Sequence, residues 1–290
     1  MTRLDSPDAV RRALLAEDHL VDEGLATALH LAVDLGLPLL LEGEPGVGKT
    51  GAAAALARAL GSRLHRLQCY EGLGPHEALY EWNYQRQLLA IRLAEAQGSA
   101  IGEEDLFSER FLEDRPLLAC LRHDGPVPPV LLIDEIDRAD DEFEALLLEF
   151  LGERAITIPE FGTVRAAGPM VVVLTSNRTR ELHDALRRRC LYHWIDFPGP
   201  DQVTAILRHR VPDASGDLVA AIGRGVSRLR ELDLDKAPGM AEAIDWARVL
   251  AALGADVPDP ASVAPSLGAI AKTPDDLAAV GRAIREGALG

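Results

Sequence analysis

Lysine is nearly missing from this 290-residue chain, which has three lysines against 27 arginines. Cysteine is as rare. Cys69, Cys120 and Cys190 lie far apart and are odd in number, which excludes a disulfide framework, and no two stand at the CxxC spacing of a thiolate metal pair. The eight histidines are scattered without an HxxxH pair, so each reads as a surface or satisfied core residue. No apolar run reaches the roughly 18 residues of a membrane span. The first stretch, MTRLDSPDAVRRALLAEDHL, carries charges throughout and has no apolar signal core. A cytoplasmic protein with no membrane span is therefore expected. Positive charge is short as well, the net charge being −16. Duplex binding needs a basic surface that displaces counterions, so no nucleic-acid partner is expected. One local cluster, Arg187, Arg188 and Arg189, stands out against that background.

What is present is a globular composition, 48% apolar and 26% charged. Residues 7–35 carry apolar side chains at helical spacing, among them Leu14, Leu25, Leu29 and Ala32. Short unbroken apolar runs follow: LPLLLE (37–42), VLLID (130–134), MVVVLT (170–175), LYHWIDF (191–197) and the weaker RLHRLQCY (63–70). Runs without alternation suit strands covered on both faces. Helical stretches separate them at 49–61, 77–97 and 141–153. Such alternation predicts an α/β fold with a parallel sheet flanked by helices. ERAITIPEFGTVRA (153–166) reads as two short strands about a Pro-Glu-Phe-Gly turn. After residue 200 the strand-like runs stop. Helices are expected at 202–210, 216–231, 239–253 and 275–288, with Pro/Gly breaks at 212, 238–239 and 258–260. The division is thus an α/β core over 1–199, with a helical insert at about 72–97 and a hairpin at about 155–166, and a smaller all-helical domain over 200–290.

The lone early lysine sits in GEPGVGKT (43–50), which fits G-x-x-x-x-G-K-[ST] through Gly43, Gly48, Lys49 and Thr50. Glycines let backbone N–H groups fold around phosphate oxygens, and a helix start adds its dipole. Residues Gly43, Glu44, Pro45, Gly46, Val47, Gly48, Lys49, Thr50 and Gly51 would form that cradle for ATP. Lys49 would reach the β- and γ-phosphates, and the Thr50 hydroxyl would bind Mg²⁺. The bland alternative is a glycine-rich turn into a helix. An apolar strand before it and the helix former GAAAALARAL after it favour the cradle. VLLIDEID then ends a buried-looking strand with Asp134 and Glu135 at its carboxyl edge, where open α/β sheets place ligands. Asp134 would orient Mg²⁺ through water, and Glu135 would polarise the attacking water. Asn177, ending MVVVLTSN, could hold that water. Arg188 and Arg189, with no choice between them, are candidates for an arginine finger offered to a neighbouring subunit.

The order of these elements resembles an AAA+ ATPase. More narrowly, GEPGVGKT, the insert after the second strand and the 155–166 hairpin resemble the MoxR family. Narrower still, RLQCYEGLGPHEALYEWNYQRQLLAI (66–91), ALRRRCLYHWIDFP and APGMAEAIDWARVL are similar to the CoxD-like branch, which is linked to maturation of a molybdenum–copper carbon monoxide dehydrogenase. The resemblance covers about residues 10–255. It implies an AAA+ P-loop core with a helical lid, an ATP-driven chaperone in a hexameric ring, and a client metalloenzyme. A partner with a von Willebrand factor A domain is implied as well. In many relatives an arginine opens the third lid helix; here Gly239 and Met240 stand in its place, with Lys236 nearby in sequence. Two other readings are a nucleotide-gated binding scaffold with little turnover and a DNA-directed AAA+ motor, the latter disfavoured by the net charge.

Four of the thirteen aromatics, Tyr70, Tyr80, Trp82 and Tyr84, crowd into fifteen residues. Packing of the insert onto the sheet edge is the commoner fate of such a cluster; a client-facing patch is the other. The acidic run GEEDLFSERFLEDR (102–115) reads as a solvated loop and helix.

Overall fold

The leucines of 39–41 and the aliphatic runs at 130–134 and 171–176 are buried along their whole length, as strands covered on both faces must be. A computed structural model describes residues 4–255 and 263–289. Among these residues the strands are β1 (Leu39–Gly43), β2 (Leu64–Gln68), β3 (Tyr80–Trp82), β4 (Leu112–Asp114), β5 (Val130–Asp134), β6 (Ala155–Ile158), β7 (Gly162–Arg165), β8 (Val171–Ser176) and β9 (Leu191–Ile195). Five of them form one sheet in the order β2-β5-β8-β1-β9. The pairs β2–β5, β5–β8 and β1–β8 are parallel. Since β1 lies between β8 and β9, the strand order reverses beside it, and the carboxyl ends of β1, β5 and β8 point to one edge.

Among the described residues the α-helices are α1 (Pro7–Ala16), α2 (Glu23–Leu35), α3 (Lys49–Leu60), α4 (Pro75–Ala78), α5 (Tyr84–Ala96), α6 (Glu103–Leu106), α7 (Pro116–Leu121), α8 (Asp141–Glu153), α9 (Asp184–Arg187), α10 (Pro200–Arg210), α11 (Gly216–Leu229), α12 (Met240–Ala252) and α13 (Pro274–Arg285). The apolar stretch 7–35 is two helices, because Asp22 caps a new start by accepting the Leu25 N–H at 2.7 Å. Asp140 starts α8 in the same way through the Phe143 N–H at 2.9 Å.

The chain divides into two compact units. The first comprises Met1–Glu17, Val21–Glu42 and Thr50–Trp194. Its core joins Leu40, Leu131, Ile133 and Leu174 of the sheet to Leu117, Phe143, Leu147 and Phe150 of α7 and α8. Each such side chain contributes roughly 1.5–3 kcal/mol on burial. The second unit comprises Asp18–Leu20, Gly43–Lys49 and Ile195–Gly290. Its helices α10 to α13 enclose Trp246, whose indole N–H donates to Ser266 Oγ at 2.8 Å. The expected break at 258–260 lies outside the described residues.

Two expectations need correction. The stretch 77–97 is not one helix, since β3 interrupts it before α5 begins. The run 102–115 is not wholly solvated, since Phe111 and Leu112 are buried and β4 pairs antiparallel with β3. One cause serves both: Tyr80 and Trp82 bury their rings, Trp82 lying edge-on to Phe107 at 5.2 Å, and the backbone beside them takes β4 as partner. Tyr70 and Tyr84 remain exposed, so the aromatic cluster splits between packing and surface. The 153–166 segment forms the antiparallel pair β6–β7, with Ile158 opposite Gly162.

Candidate active site

In the first unit, strand register assembles the polar centre. Ile133 of β5 lies beside Leu174 of β8, which sets Asp134 next to Thr175. The Thr175 hydroxyl donates to Asp134 Oδ1 at 2.6 Å, and the Thr50 hydroxyl donates to the same oxygen at 2.8 Å. Arg66 of β2 donates to Oδ2 through Nε at 3.0 Å and Nη2 at 2.6 Å. Asp134 is buried, and these four donors offset the cost of removing its charge from water. Neither Thr175 nor Arg66 was expected. Arg66 stands two residues before Gln68, the partner of Asp134, so it projects from the same sheet face.

The next residue has a different environment. Glu135 adopts left-handed backbone angles, φ 56° and ψ 50°, a conformation that costs a non-glycine residue about 1–3 kcal/mol. Its N–H donates to Thr175 Oγ1 at 2.9 Å. Its carboxylate is partly exposed and, among the described residues, pairs only with the exposed Arg138, Nε to Oε2 at 2.9 Å. Adjacent carboxylates are thus separated in role: Asp134 is bound inward, while Glu135 is turned outward and accessible.

Asn177 follows the end of β8, and its backbone N–H donates to Asp137 Oδ1 at 3.2 Å. Among the described residues no hydrogen bond engages its side-chain amide. Further along, the fully buried Glu144 of α8 accepts the His183 N–H at 2.9 Å and pairs with Arg180. That anchor leads directly into α9 and the three arginines. Arg187 lies over the Tyr192 ring at 5.9 Å, and Arg189 Nη1 donates to Ala185 O at 3.0 Å. Arg188 is exposed and has no side-chain partner among the described residues.

In the second unit, the segment 43–49 makes a tight loop. Lys49 is buried, with Nζ donating to Gly43 O at 2.7 Å and Glu44 O at 2.8 Å. Gly48 has φ 100°, which an L side chain rarely adopts. At Gly43 a Cβ would stand 2.4 Å from Ile195 O, so glycine is required there by close approach. Glu44, Pro45 and Gly46 are exposed, and Val47 is buried. Gly51, in the first turn of α3, follows Thr50. The Met240 N–H donates to Gly46 O at 3.0 Å. The Lys236 side chain is exposed. Arg230 meets the loop instead: it pairs with the Glu44 carboxylate, donates to Pro238 O at 2.7 Å and lies 3.9 Å over the Phe197 ring. No sequence signal marks Arg230 for this contact.

The thiols offer no competing chemistry. Burial pushes Cys69, Cys120 and Cys190 up to about 12, so all three stay protonated near neutrality.

Residues 38–190 match the AAA domain (dynein-related subfamily). The chain belongs to this family. This AAA domain chain is 28% identical over 205 residues to Chaperone MoxR1 of Mycobacterium tuberculosis, covering 68% of its own length and 45% of that relative. It is 25% identical over 214 residues to the Denitrification regulatory protein NirQ of Pseudomonas aeruginosa, covering 69% of its own length and 71% of that relative. It therefore spans less than half of MoxR1. Two Thermotoga maritima RuvB mutants have the same fold, each with a TM-score of 0.51. They are 19% and 18% identical, and the matches cover 91% and 100% of this chain and 71% and 75% of theirs.

Proposed function

We propose that this AAA+ chain is an ATP-hydrolysing MoxR-type chaperone that remodels a client enzyme, in the service of metal-centre or cofactor maturation. The network joining Thr50, Asp134, Thr175 and Glu135 is the observation that carries this reading. The donor set suits a nucleotide with magnesium. Glycines at 46 and 48 with positive φ allow backbone N–H groups to converge on phosphate, and a hydroxyl with a carboxylate supplies the hard oxygens that Mg²⁺ takes. Magnesium, when bound, neutralises charge building on the phosphates. Lys49 exchanges its loop carbonyls for phosphate oxygens. Glu135, free to swing from Arg138, accepts a proton from water as that water attacks. Asn177 orients the water. Arg188 of one subunit completes the site of the next, so turnover depends on a ring, taken here as hexameric. Residues 1–199 form the catalytic core and 200–290 the lid in this scheme. The 66–91 stretch supports a CoxD-like role, with a metalloenzyme client and a von Willebrand factor A domain partner.

The test is steady-state phosphate release and nucleotide retention by purified protein, with and without such a partner. Lys49→Ala is expected to abolish retention, and an unchanged Lys49→Ala protein rejects the proposal. A second reading, a nucleotide-gated scaffold with little turnover, is favoured by Gly239 and Met240 at the place of the relatives' lid arginine. Tight nucleotide binding without phosphate release would select it.

A further inference from the structure

Residues 176–179 make an unusual turn at the end of β8. Arg178 takes a left-handed φ of 57° without being glycine, a conformation that persists only where the surroundings hold it. One side chain binds both amides that flank it. Asp137 lies in the turn of 3-10 helix at Ile136–Arg138, two residues after Glu135. The residue is 3% exposed. Oδ1 accepts the Asn177 N–H at 3.2 Å, while Oδ2 accepts the Thr179 N–H at 2.8 Å and the Thr179 hydroxyl at 2.7 Å. The Arg178 N–H is taken by Ser176 Oγ at 3.0 Å. Every backbone donor from 177 to 179 is thereby bound, and both amides flanking Arg178 end on the same carboxylate. The Asn177 side chain is left without a partner among the described residues.

We propose that Asp137 is a positioning residue, which holds Asn177 at a set place relative to Glu135 for the hydrolytic step. The inference rests on the hydrolysis reading above. Both side chains that act on the attacking water are within two residues of an Asp137 bond: Glu135 along the chain, Asn177 through its own N–H. A carboxylate suits this task because it accepts in several directions at once and donates in none. Burial by itself would raise the Asp137 pKa, but the Thr179 and Asn177 donors outweigh burial and lower it. The charge therefore persists at neutral pH and keeps those donors strongly bound.

The test is a double-mutant cycle with Asn177, read as kcat and KM separately. Asp137→Asn places an NH₂ where one oxygen accepts, and is expected to lower kcat about 10- to 100-fold with KM within about twofold. In an Asn177→Ala background the same change is expected to cost less than about twofold, because the group it positions is gone. Thr179→Val removes the hydroxyl's bonds to Asp137 Oδ2 and, at 3.4 Å, to Asp137 O, and leaves the Thr179 N–H bond in place; a milder loss, again absent in the Asn177→Ala background, is the expected result if Asp137→Asn does not fold. Losses that multiply fully across the cycle would overturn the proposal. Amide hydrogen exchange supplies a readout that needs no turnover: Asp137→Asn should speed exchange at Asn177 and Thr179 but not within β8. Wild-type protein without phosphate release sinks the hydrolysis reading alone, whereas unchanged exchange at those two amides sinks the positioning role.

Discussion

Replacing Glu135 by glutamine should separate chemistry from binding and from folding. The left-handed backbone at this position is retained by glutamine, so its strain is common to both proteins and cancels. The carboxylate is lost from one ion pair, the 2.9 Å contact with Arg138. Both partners are substantially solvent-exposed, the arginine side chain 57% and the glutamate 32%, and pairs of that kind contribute about 0–1 kcal/mol. For a chain of this size that corresponds to a melting shift of no more than about 4 °C. The bond to Thr175 Oγ1, and through it the Asp134 network, uses only the main-chain N–H of residue 135 and is untouched. Nucleotide affinity should therefore stay within about twofold. Turnover should fall by about 10²- to 10⁴-fold, the range for loss of a general base. Phosphate release, equilibrium dialysis with labelled ATP and thermal melting measure the three quantities on one preparation. A variant that binds nucleotide normally yet keeps more than about a tenth of wild-type turnover would refute the assignment of Glu135 as base.

Gly43→Ala should destabilise the fold, since the new methyl meets the backbone oxygen of Ile195. Overpacking of about 1–3 kcal/mol lowers the melting point by several degrees, and an unchanged melt would contradict the close approach. Arg188→Ala is expected to reduce turnover by about 10³-fold with nucleotide binding intact, while Arg189→Ala, whose guanidinium bonds locally to Ala185, has a much smaller effect. Mixing Arg188→Ala with Lys49→Ala subunits should restore part of the activity, and failure to do so argues against a finger acting between subunits. Iodoacetamide at pH 8 should leave the three cysteines unmodified in native protein, since thiols near 12 hold about one part in ten thousand as thiolate; labelling within minutes before denaturation would show them accessible and ionised. On acidification, the depressed pKa of Asp137 contributes stability that is complete above the ordinary value of 3.8 and is lost as pH falls through the lower folded value. Urea melts between pH 5 and pH 2 should show that loss, and Asp137→Asn should show less of it.

Much of the site was written locally. The GEPGVGKT loop, the aliphatic run ending in Asp134 and Glu135 and the run ending before Asn177 each declare themselves within a dozen residues. Their signals are loop glycines, unbroken strand hydrophobicity and a polar residue at the strand's carboxyl end. The five strands of the main sheet were legible for the same reason. The strand at Tyr80–Trp82 was not, because its helical-looking neighbourhood conceals a partner at Leu112–Asp114 some thirty residues away. A strand that short is defined by its pairing rather than by its own composition.

Sequence by itself determined which chemical groups this AAA domain chain carries at its loop and strand ends, and which runs must be buried to present them. Only the tertiary structure decided how those groups are held. Arg66 and Thr175 reach Asp134 because parallel register sets their strands side by side. Asp137 reaches across some forty residues of chain to the turn carrying Asn177, and Arg230 meets Glu44 across 186 positions. Of three adjacent arginines, one lies on a ring, one binds a carbonyl and Arg188 alone is left outward among the described residues. A hydrogen bond between distant segments depends on where the backbone brings its ends, and composition and spacing along the chain carry no record of that distance.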